Sequence, residues 1–70
     1  MDSLDLLDVV VLLADRPQEK IRTGSLGTIV ETFADGTYLV EFADLNGVAY
    51  AMPVLPANQL MKVHQEPVTV

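Results

Sequence analysis

The 70-residue sequence has no cysteine, no tryptophan, one histidine and only four lysines and arginines. Each scarcity excludes something. Without cysteine there is no disulfide framework, no thiolate zinc site and no cysteine nucleophile, and the lack fits a reducing, cytoplasmic setting. Four cations against ten carboxylates give a net charge of −6. That balance argues against a general phosphate-backbone binder, whose affinity comes from clustered Lys and Arg. The longest apolar run, Val9 to Ala14, has six residues, against the ~20 needed to cross a bilayer, so no membrane partner is expected. Asp2, Asp5 and Asp8 stand where a signal peptide would need a basic segment.

What is present is a globular composition, half apolar and one fifth charged. The length allows one small domain over residues 1–70, with residues 1–5 and 65–70 expected as flexible ends. A core in so short a chain supplies no more than ~3–5 kcal/mol of net stability.

The chain divides into short apolar segments cut by turn signals, the spacing of a small all-β barrel or sandwich. Residues 6–14 read as a strand, because three successive valines lose χ1 freedom in a helix. A helix competes there, since Leu4, Leu7 and Val11 recur at helical spacing and Ser3 could cap it. The polar stretch 15–20 is a loop that continues through Gly24-Ser25-Leu26-Gly27, whose glycines point to positive φ or close backbone approach. Thr28–Phe33 and Thr37–Phe42 are strands joined by the hairpin signal Asp35-Gly36. Period two puts Tyr38, Val40 and Phe42 on one face. Asn46-Gly47 marks a second hairpin, leading to a strand over 48–52 with Val48, Tyr50 and Met52 on one face. Pro53 ends that strand or makes it an edge. Residues 56–59 form a single helical turn, and Leu60–Val63 a last strand. The expected fold is all-β, a small SH3-like barrel of about five strands with a short helical turn before the last strand.

Leu7-Asp8-Val9-Val10, Gly24-x-x-Gly27-Thr28-Ile29-Val30-Glu31, Tyr38-x-Val40-Glu41-Phe42, Gly47-x-x-Tyr50-Ala51 and Leu60 together resemble domain-of-unknown-function family 4926, a family of small bacterial proteins. The resemblance runs from about Leu6 to Val63. It implies an SH3-like fold and a bacterial origin, and no catalytic residues. It also makes an antitoxin- or immunity-like role beside a partner gene conceivable. The Gly-x-x-Gly-Thr-Ile-Val part is similar to the KOW-type element of ribosomal and transcription-factor barrels.

No catalytic constellation stands out. His64 has Glu66 nearby but no nucleophile at a matching spacing. One His without Cys makes a poor metal site. The Asp2, Asp5 and Asp8 trio lacks calcium-loop spacing and reads as a solvated acidic edge. Gly24–Gly27 lacks the Lys-Ser/Thr ending of a phosphate loop. No cofactor is expected.

Charge is more informative. Arg16, Lys20 and Arg22, with Glu19 among them, give residues 16–22 a charge of +2, which leaves −8 on the other 63 residues. A basic loop on an acidic body can orient a protein partner, although loops are also charged simply for solubility. Phe42 reads as core. Tyr38 and Tyr50 read as core or rim, with a binding groove as the competing role. The expected function is therefore a non-catalytic protein–protein interaction module. Arg16, Lys20, Arg22 and Tyr50 are its candidate contact residues. The alternative is a KOW-type nucleic-acid-associated barrel that uses the basic first loop.

Overall fold

The computed structural model describes residues 3–64; expectations for residues 1–2 and 65–70 lie outside the described residues. The fold is all-β. Its strands are β1 (Val9–Leu12), β2 (Leu26–Thr32), β3 (Thr37–Ala43), β4 (Ala49–Ala51), β5 (Val54–Pro56) and β6 (Leu60–Lys62). They form one antiparallel sheet in the order β4-β3-β2-β1-β6, with β5 also on β3. Single 3-10 turns cover Pro17–Glu19 and Ala57–Gln59. The second of these is the expected short helical turn before the last strand.

The valine run settles as a strand over its centre. Val10 and Leu12 are fully buried, while Val9 and Val11 face outward. Leu6 and Leu7 leave the strand for a turn, in which Leu7 takes φ +71° and its N–H donates to the Ile29 carbonyl. The Asp8 carboxylate accepts the Asp5 N–H at 2.8 Å and pairs with Lys62 Nζ at 3.4 Å. Asp8 is thus half-buried and engaged rather than part of a solvated edge, and no helix uses the Leu4, Leu7, Val11 spacing. Leu4, within the segment expected to be flexible, packs against the core.

The two glycines of the first loop divide the roles expected of them. Gly24 has φ +93°, whereas Gly27 lies in β2 beneath Val40 and Phe42. A register shift between Ile29 and Glu31 bulges β2 at Val30, which increases the local twist and helps the sheet curl. At the β2–β3 turn Gly36 takes φ +86°, a conformation that Asp-Gly sequences supply at little steric cost.

The Asp35 carboxylate accepts both the Thr37 hydroxyl (2.6 Å) and the Thr37 N–H (3.1 Å). These bonds, the hydroxyl first, hold its carboxyl below the ordinary aspartate range. Asp15 is held low in the same way, chiefly by the Thr23 N–H. A carboxyl depressed in the folded chain stabilises it above the unfolded value of about 4, and the contribution disappears as pH falls through the folded value. Denaturation midpoints should therefore drop below about pH 4. Asp35→Asn should shrink the difference between pH 7 and pH 3 midpoints, leaving the Asp15 part.

Beyond the second hairpin the described residues add a strand to the five or so expected, making six, because pairing resumes after Pro53. Phe42 opposes Ala51, Leu39 opposes Val54, Tyr38 opposes Leu55 and Thr37 opposes Pro56. These pairs share one register, and the Val40 N–H donates to the Pro53 carbonyl at 3.0 Å within it. Pro53 has no N–H to return, so the ladder loses one bond while the strand runs on. Residues 49–56 are in effect one bent edge strand along β3.

One core lies inside the curl. Val10, Leu12, Ile21, Ile29, Val40, Phe42, Leu55 and Leu60 are buried, with Tyr38 and Ala51 packed against them. Ile21 belongs to the loop read as polar. A bridge to Arg16 pins it, and Lys20 at φ +60° turns the chain inward. No strand of the described residues joins β4 or β5 to β6, so the sheet is open along both edges. No helix of the described residues is long and apolar enough to cross a membrane.

Candidate interaction surface

The four residues singled out from sequence fall in two places. Arg16 is half-buried and its Nε donates to Glu19 Oε1 across the 3-10 turn. Lys20 and Arg22, with Asp15, Pro17 and Ile21, line a surface recess of about 450 Å³. The fourth cation, Lys62, is the partner of Asp8. Lys20 and Arg22 are therefore the cations the loop presents outward. Tyr50 stands elsewhere, on β4 beyond β2 and β3, and is 48% exposed.

Around Tyr50 the sequence reading missed the larger feature. Eleven large apolar side chains are exposed among the described residues, and five of them lie on one short segment: Leu45, Val48, Tyr50, Met52 and Val54. Tyr50, Met52 and Val54 alternate on the outer face of the edge strand, whereas Val48 lies in the turn beyond the register shift between Phe42 and Ala43. The inner positions hold Ala51, Pro53 and Leu55, turned to the core. Packing explains the division. Ala51 sits opposite the buried Phe42 ring, which leaves room for a methyl group inside and sends the larger side chains out. A signal for this was present in the sequence: residues 45–61 contain no charged side chain, seventeen positions in a chain of net charge −6.

Carboxylates frame the stripe. The β3–β4 turn holds Asp44, whose side chain accepts the Asn46 and Val48 N–H groups. The β2–β3 turn at the other end holds Asp35. On the outer face Glu31 opposes Leu39, which opposes Val54. The same register carries Glu41 opposite Met52.

A second recess, of about 500 Å³, lies between Leu4, Tyr38 and β6, with Lys62 and His64 at its rim. No group of three or more metal-ligating side chains occurs among the described residues.

No curated protein and no solved structure matches the chain. The family described as Domain of unknown function (DUF4926) matches it over residues 6–62, which takes in the whole sheet from β1 to β6, and the chain belongs to that family.

Proposed function

We propose that this chain is a non-catalytic protein-interaction module whose partner docks on the apolar stripe of the edge strand. The observation that carries this reading is the run Tyr50, Met52, Val54, with Val48 exposed in the adjoining turn. The three strand residues are large apolar side chains, each about half exposed on one face, in a stretch free of charge. Small soluble domains seldom leave such a row in water unless a partner covers it. In its narrower form the module is antitoxin- or immunity-like, its acidic body covering the basic site of a toxin-like enzyme in the cytoplasm of a bacterium. The nucleic-acid alternative has less to rest on. With Arg16 held by Glu19 and Lys62 by Asp8, Lys20 and Arg22 are few for a phosphate-binding cluster.

Tyr50→Asp tests the reading. The side chain points away from the core, so stability should change by no more than about 0.5 kcal/mol. A buried aromatic anchor is worth about 2 kcal/mol or more at an interface, so capture of the native partner from cell extract should fall at least about tenfold. Equal recovery by both forms would count decisively against this surface. Reversing the charge of Lys20 and Arg22 should instead alter association rate and salt dependence, as peripheral charges do.

A further inference from the structure

We infer that the partner adds a β-strand to the open edge formed by β4 and β5, and that the added segment is apolar in its middle and carries Lys or Arg at both ends. This rests on the interaction-module reading and names the mode and chemistry of its docking.

Backbone geometry supplies the first argument. In an antiparallel ladder, successive residues turn their N–H and C=O groups alternately toward one neighbour and the other. The Val40 N–H to Pro53 C=O bond fixes the phase. Residues 51, 53 and 55 turn their polar groups to β3, and Met52 and Val54 turn theirs to the open side; Tyr50 lies at the register shift, where the alternation is interrupted. No strand of the described residues pairs there. The residues with outward side chains are thus the ones whose backbone is available for pairing. An extended segment would meet hydrogen-bonding groups and an apolar stripe together, the combination used in recognition by strand addition.

The second argument is the absence of the usual guard. Exposed edges are commonly protected by charged side chains, lysine above all, whereas this edge lies within the uncharged stretch 45–61.

Charge selects the occupant. Residues 23–61 contain Glu31, Asp35, Glu41 and Asp44 and no cation. Asp44 lies at one end of the edge and Asp35 at the other, with Glu41 and Glu31 beside it. A second copy of this chain would set these carboxylates against their like, which is unfavourable. A segment with cations flanking an apolar middle would set opposite charges at both ends.

The test is residue-resolved amide exchange on the full chain with the acetylated, amidated probe Lys-Lys-Val-Thr-Val-Thr-Val-Lys-Lys. Saturating probe should slow exchange at the Met52 and Val54 amides at least about tenfold, with little change in β1 and β6. The same sequence with Glu for Lys should give no protection, and neither should the Lys form N-methylated at alternate residues, which keeps its charge but loses its donors. Protection by the Glu or the N-methylated probe, or none by the parent, would overturn strand addition. Protection that rises with protein concentration alone would make a second copy the occupant and equally overturn the proposal. Loss of partner capture in Tyr50→Asp alongside a silent exchange experiment would leave the module reading standing and remove strand addition alone.

Discussion

Gly27→Ala should cost the chain about 1–3 kcal/mol, the range for overpacking a well-filled core. A Cβ at this position would lie 2.6 Å from Val40 Cγ1 and 2.9 Å from Phe42 Cε1, inside contact distance for both. Neither neighbour can step aside cheaply, because both are fully buried. Nor can the glycine backbone withdraw, since it is paired to Val10 on one side and Phe42 on the other. Alanine lowers the entropy of the unfolded chain and so recovers about 0.4–1 kcal/mol, less than the clash takes. Against a total of ~3–5 kcal/mol, the loss should lower the melting temperature by about 4–8 °C per kcal/mol, read from thermal unfolding. Combining Gly27→Ala with Val40→Ala removes the nearest obstruction. The double variant should be more stable than the sum of the single effects requires. Simple additivity would mean that Val40 is not the obstruction.

Phe42→Ala should unfold the chain outright. Truncating a buried phenylalanine costs about 3–5 kcal/mol through lost transfer energy and the cavity left behind, which matches the whole reserve of a domain this small. The ring is among the largest fully buried side chains and meets β2 through Gly27 and β4 through Ala51. Among the described residues no layer of helices stands behind the sheet to collapse into the hole. The expected spectrum at 25 °C is that of an unfolded chain, with backbone amide signals collapsed to random-coil shifts. Phe42→Leu fills most of the space and should stay folded with a lowered midpoint. A native spectrum for Phe42→Ala would show that the ring contributes far less than its burial implies.

Local chemistry made much of this fold legible. Tyr38, Val40 and Phe42 alternate in a run bounded by Asp-Gly, and the hairpin follows from two short-range rules. The last helical turn and strand were readable from Pro56 and Leu60. What sequence reasoning could not supply is what depends on partners far along the chain. Pro53 reads locally as an end, yet the strand goes on because β3 holds its register from the other side. Ile21 reads as part of a polar loop and becomes core once Lys20 turns left-handed. Alternation places Val48, Tyr50 and Met52 on one face but does not say which face is wet, since the alanines between them are apolar too. That choice is made by the size of Phe42, which opposes Ala51 from nine residues away. The charge-free stretch 45–61 was the readable clue, and it points to the same edge.

Pro53 sits in the middle of the uncharged edge segment. Without it, residues 51–55 would be an unbroken, uncharged, apolar β-strand, the composition from which amyloid-like stacks grow. Stacking requires every strand to donate to neighbours above and below, and a proline withholds a donor from one of them. An edge that contains it is a poor template for endless copies of itself. In this respect one missing hydrogen separates recognition from fibre growth.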